Sequence, residues 1–136
     1  MRTDVAGTRG MVGFCAMSSP VRISPAEAHE KVTSEGFTYV DVRTPEEFAE
    51  GRPAGSINIP LGDDFVRNVE AKFSKEAKII VGCKAGGRSL RAANALIAAG
   101  FTNILDQRAG FDAARGPFGE VTEPGWSRAG LPQDAG

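Results

Sequence analysis

Seven consecutive residues carry most of the chemistry legible in this chain: Cys83-Lys84-Ala85-Gly86-Gly87-Arg88-Ser89. They lie between Lys78-Ile-Ile-Val81, an apolar run of the kind a buried parallel strand shows, and the stretch Ser89 to Ala99, where Leu90, Ala93, Leu96 and Ile97 share one helical face. A cysteine at the carboxyl end of a strand, followed by a tight loop that opens into a helix, stands where open α/β sheets hold their ligands. Gly86 and Gly87 let the backbone turn its N–H groups around one point, and the helix aims its positive end at the same point. Such a cradle holds an anion. The charges agree: between Glu76 and Asp106 stand Lys78, Lys84, Arg88 and Arg91 with no acidic residue, a +4 stretch in a chain of net charge −1.

An ordinary thiol, with a pKa of about 8.5, is only about 3% ionised at pH 7. Making a thiolate the major form takes roughly 2.7 kcal/mol, and a helix end supplies only ~0.3–1 kcal/mol. Converging N–H groups, with Lys84 or Arg88, must supply the remainder. No general base is needed. The one histidine, His29, is distant in sequence, on the first predicted helix, and reads as a solvated residue. The plain alternative for Cys83, a small buried core residue, leaves the Gly-Gly-Arg behind it without a purpose.

The elements that position this loop follow a βα rhythm from Val21 onward. Ser24-Pro25-Ala26-Glu27 is a capping box with proline in the first turn and starts a helix running to about Ser34; Thr44-Pro45-Glu46-Glu47 starts a second, ended by Gly51. Phe37 to Val42 is β-branched and aromatic and reads as a strand, as do Ile57-Asn-Ile59, Lys78 to Val81 and Thr102 to Leu105. Asp64 to Lys72 has helical spacing. The expected architecture is an α/β fold with a central, mainly parallel, five-stranded sheet and helices on both faces. Ala109 to Trp126 breaks the rhythm and reads as an extended surface loop.

At 136 residues the chain suffices for one domain without a metal or disulfide staple. Its balance of 16 basic and 17 acidic residues argues against nucleic acid or a membrane surface as partner. Two cysteines, Cys15 and Cys83, and one histidine cannot form a zinc site or a disulfide framework, so neither metal nor cofactor is expected, and the compartment reads as reducing and cytoplasmic. Residues 1–20 read as a flexible tail, with Cys15 incidental, 21–132 as the domain and 133–136 as a second tail. Nothing requires more than a monomer.

Cys83 to Ser89, with Tyr39-Val-Asp-Val-Arg43, Pro45-Glu-Glu-Phe48, Gly55-Ser-Ile-Asn-Ile-Pro60 and Ala129-Gly-Leu-Pro132, resembles a single-domain rhodanese over about residues 21–132. Each motif is modest; five in this order are specific. The resemblance implies a sulfurtransferase in which Cys83 takes a sulfane sulfur from a small anionic, thiosulfate-like donor and passes it to cyanide or a thiol, with a protein relay partner also open. It implies persulfide stabilisation by the N–H groups of Lys84, Ala85, Gly86, Gly87, Arg88 and Ser89, with Lys84 and Arg88 binding the donor. Asp41 and Arg43 fall beside the site, with Arg43 expected to pair with Glu46 or Glu47 as scaffold.

Two departures from the family pattern stand out. Gly51-Arg52 replaces the usual Gly-His. Ala109 to Ala114 lacks the tryptophan normally found there, and Gly116 to Trp126 reads as an insertion that displaces it and alters the pocket rim. The rival readings are a phosphatase or arsenate reductase, whose loops resemble Cys-x5-Arg rather than the Cys-x4-Arg present here, and a non-catalytic binding or sulfur-relay module.

Overall fold

The computed structural model describes residues 20–135, so the expectations for the N-terminal tail and Cys15 lie outside the described residues. Both capping boxes start helices as predicted. In α1 (Pro25–Ser34) Ser24 Oγ accepts from the Glu27 N–H at 3.1 Å while the Glu27 carboxylate accepts from the Ser24 N–H at 2.8 Å. In α2 (Pro45–Glu50) Thr44 and Glu47 do the same at 3.2 and 3.0 Å. The hydroxyl, the glutamate and the proline together leave few unpaired N–H groups at each start.

The central sheet contains β1 (Val21–Ile23), β6 (Ile104–Gln107), β5 (Ile79–Gly82), β2 (Thr38–Asp41) and β4 (Ile57–Asn58), in that spatial order, and every neighbouring pair is parallel. Side chains alternate between its faces. Val40, Ile79 and Val81 meet Phe65 and Val69 of α3 (Phe65–Glu70) and Ala92, Ala93 and Leu96 of α4 (Gly87–Ala98) on one face. Tyr39 and Ile80 meet Ala28 of α1 and Trp126 on the other. The expected five-stranded sheet with helices on both faces is therefore present, and β5, the middle strand, is wholly buried.

The late segment differs from a loop. Ala113–Arg115 (β7) and Val121–Pro124 (β8) form an antiparallel hairpin whose tip exposes Phe118. Most of it is exposed, so it carries no apolar alternation; its strands are held by their own ladder, by burial of Ala113 and by a fork from Arg108 to Glu123 at 2.7 and 3.0 Å. The late tryptophan is not lost to the surface. Trp126 is buried, stands edge-on to Tyr39 and His29 at 5.4 and 5.7 Å, and donates its indole N–H to the Pro132 carbonyl at 2.7 Å. His29 is thus half-buried against an aromatic ring rather than solvated. Gln133–Asp134, expected in the C-terminal tail, forms a short strand, β9, antiparallel to β3 (Arg52–Pro53).

Candidate active site

The buried strand β5 ends at Gly82, and the next residue, Cys83, is 2% exposed and free of any disulfide. Gly82 is needed there because a methyl group would collide with the Tyr39 phenol, which is buried and accepts from Gln107 Nε2 at 3.2 Å. Burial pushes the Tyr39 hydroxyl far above the ordinary phenol range, so it stays neutral behind the site. The chain then turns. The Gly86 N–H donates to Cys83 Sγ at 3.1 Å, and Ser89 Oγ lies 3.6 Å from the same sulfur. Gly86 has φ +100°, and a side chain there would strike the Arg108 carbonyl, so only glycine fits.

Helix α4 starts at Gly87, two residues earlier than predicted, which places Arg88 and Ser89 in its first turn. Gly86 caps it without a side-chain acceptor, so the first N–H groups of α4 remain available beside the sulfur. Three loop carbonyls are occupied from outside the loop. Phe111 N–H donates to Cys83 O at 2.7 Å, Asp112 N–H to Lys84 O at 3.0 Å, and Arg22 Nη2 to Gly86 O at 3.0 Å. In a trans peptide the following N–H points the opposite way, so the N–H groups of Lys84, Ala85 and Gly87 are directed away from those partners.

The predicted charge pairing is different in the fold. Arg43 does not meet Glu46 or Glu47. It forms a buried fork on Asp41, with Nε and Nη2 at 2.7–3.0 Å from the carboxylate, gives a further bond to Gly51 O at 2.7 Å, and stacks over Phe111 at 4.6 Å. The reason is burial: Asp41 and Arg43 are 1% and 4% exposed, whereas Glu46 stands in solvent. Glu47 instead holds Arg88, 41 residues away, through two bonds of 2.8 and 3.1 Å. Arg88 holds the Glu47 carboxyl down to about 2, helped by the Thr44 cap and opposed by partial burial. The Arg88 fork is thereby occupied, while Lys84 is exposed on the rim.

An open pocket of about 290 Å³ adjoins the loop, lined by Arg43, Glu47, Glu50, Gly51, Lys84, Phe111 and Asp112. Its wall is mixed in charge, with Arg43 and Lys84 facing Glu47, Glu50 and Asp112. No group of histidines, cysteines and carboxylates able to hold a metal occurs among the described residues. No helix among them is long and apolar enough to cross a membrane.

Gln107 is a supporting residue that sequence reasoning missed. Its buried amide donates to Tyr39 Oη and Gly110 O and accepts from the Ala109 and Gly110 N–H groups at 2.8 and 2.9 Å, setting the loop that carries Phe111. A lone glutamine at a strand end gives no sequence signal for such a role. Asp106 and Arg22, 84 residues apart, likewise carry no local sequence signal for their pairing.

An open parallel sheet with a free cysteine in the strand–loop–helix corner of its middle strand defines a cysteine-loop α/β protein. The rhodanese-like domain profile matches residues 24–115. The chain is 36% identical over 126 residues to thiosulfate sulfurtransferase 16, chloroplastic, of Arabidopsis thaliana, covering 85% of this chain and 94% of that one. It is 34% identical over 111 residues to the thiosulfate sulfurtransferase GlpE of Ectopseudomonas mendocina, covering 80% and 97%. Among solved structures, Rv0390 of M. tuberculosis superposes with a TM-score of 0.72 at 25% identity, covering 88% of this chain and all of the other. The chain belongs to the rhodanese-like sulfurtransferase family.

Proposed function

We propose that this protein moves a sulfane sulfur from a thiosulfate-like donor to a thiol or cyanide through a persulfide on Cys83. The observation that carries the reading is the Gly86 N–H bonded to Cys83 Sγ at 3.1 Å, at the mouth of a helix whose first N–H groups are unspent. In the first step the Cys83 thiolate attacks the outer sulfur of thiosulfate. A Cys83 S–S bond forms, the donor's S–S bond breaks, and sulfite leaves with the electron pair. In the second step an acceptor thiolate or cyanide attacks the outer persulfide sulfur, and Cys83 leaves as the thiolate. On the enzyme the negative charge stays on sulfur, as thiolate or persulfide, so N–H dipoles can hold it and neither displacement transfers a proton.

Lys84, exposed on the pocket rim beside Cys83, is placed to steer an anionic donor. Arg88 serves chiefly by tying α2 to α4 through Glu47. That occupied fork, and the four-residue spacing from Cys83, weigh against a phosphatase, which needs an arginine open to the tetrahedral oxyanion. The test is intact-mass measurement after incubation with thiosulfate. Wild type should gain one sulfur, and Cys83→Ser should gain none; sulfur retained on the serine variant would refute the assignment.

A further inference from the structure

Arg22 lies outside every motif of the family resemblance, on the edge strand β1, yet its guanidinium reaches the catalytic loop. Its Nε binds Asp106 Oδ2 at 2.6 Å, and its Nη2 donates to Gly86 O at 3.0 Å. Strand register sets Arg22 beside Asp106, so the fork is aimed by the β1–β6 pairing itself. Asp106 is fully buried; burial raises its pKa, and the Ser89 hydroxyl and Arg22 act against that rise. An ion pair with its carboxylate buried this deeply costs stability unless its guanidinium has a purpose of its own.

The purpose is visible at Gly86. Its N–H binds Cys83 Sγ, while its C=O accepts from Arg22 Nη2 and, from α4 itself, from Ser89 Oγ and the Leu90 N–H, both at 3.2 Å. Both ends of this one residue are therefore fixed, at a φ that glycine alone tolerates. Because the 86–87 peptide is planar and trans, holding Gly86 O sets the direction of the Gly87 N–H, the first of α4. We propose that Arg22, braced by Asp106, is a positioning residue: it fixes the Gly86 peptide units so that loop N–H groups face the sulfur and the incoming anion. The inference rests on the sulfurtransferase reading for its first readout only.

Two variants keep the test independent of folding. Arg22→Lys retains charge opposite Asp106 but lacks the planar fork, and Arg22→Ala combined with Asp106→Asn removes the pair without leaving a buried charge. Each is made in a Cys15→Ser background so that one thiol reports. The first readout is the rate of sulfur loading from thiosulfate by intact mass, with folded fraction followed by circular dichroism. Loss of a single aimed N–H donor costs roughly 10²–10³-fold in rate, so a loosened one should cost about tenfold in both variants. The second readout is the ratio of Cys83 alkylation by iodoacetate, an anion, to that by iodoacetamide, which is neutral; it should fall severalfold in both variants. Loading and alkylation ratios within twofold of wild type, or losses matched by lost folded protein, would overturn the proposal. If wild type itself takes up no sulfur, the sulfurtransferase reading fails and the alkylation ratio alone decides the role of Arg22.

Discussion

Replacing Arg43 by alanine separates scaffold from catalyst beside the pocket. Arg43 gives its guanidinium to both oxygens of Asp41 and to Gly51 O, and its plane lies over Phe111. With both partners under 5% exposed, removal of the arginine leaves a carboxylate buried without its counter-charge. Breaking such a pair costs about 3–5 kcal/mol, a large share of the roughly 5–15 kcal/mol that holds a domain together. At about 4 °C per kcal/mol for a domain of this size, Tm should fall by roughly 15 °C. Asp41→Asn should lose a comparable amount, because the guanidinium is then the unpaired charge. The double variant should lose far less than the sum, giving a coupling energy of about 3 kcal/mol or more. Urea denaturation of the four proteins measures the cycle. Sulfur uptake, measured well below the new Tm, should survive in Arg43→Ala. A stability loss under about 1 kcal/mol, or additive losses, would refute the buried-clamp argument. A fully folded Arg43→Ala protein unable to take up sulfur would make Arg43 a donor-binding group instead.

Glu47→Gln keeps the capping box, since glutamine can reach back to the Thr44 N–H, but removes the charge facing Arg88. Glu47 titrates near 2 when folded, below its ordinary value near 4.5, so its contribution is present above about pH 4.5 and fades as pH falls toward 2. After screening by solvent that contribution is about 1 kcal/mol. Wild type should therefore exceed Glu47→Gln by about that amount at pH 7 and converge with it near pH 2 in urea titrations. A gap that persists undiminished at pH 2 would contradict the assignment. Trp126→Ala should cost about 3–5 kcal/mol, as expected for a fully buried ring touching Tyr39 and His29. A loss below about 1 kcal/mol would mean that the ring is dispensable to the core.

What the sequence disclosed was local. The two Ser/Thr-Pro-x-Glu boxes, the apolar run of β5 and the cysteine loop each depend on residues within a few positions of one another, and each appears where expected. The pairings that complete the site join distant segments. Glu47 reaches Arg88 across 41 residues and Arg22 reaches Gly86 across 64, and nothing in either neighbourhood distinguishes these charges from solvated ones. For Arg43 burial decided between local acids: Glu46 and Glu47 follow it on an exposed helix start, but Asp41, nearer still, enters the interior on the same strand end and takes the arginine with it. The hairpin escaped detection because Ala113, Ala114, Thr122 and Glu123 show no alternation of apolar and polar residues.

The hairpin also bears on how this protein can diversify. The chain leaves the body at Asp112 and returns at Gly125, where the Gly125 N–H meets the Asp112 carbonyl at 2.9 Å and the Trp126 N–H meets Gly110 at 2.8 Å. Entry and exit are thus stitched together before the excursion begins, and Trp126 reaches its seat however long the excursion is. The exposed tip between Arg115 and Val121 can therefore change length at small entropic cost, leaving Trp126 seated and the Cys83 corner undisturbed.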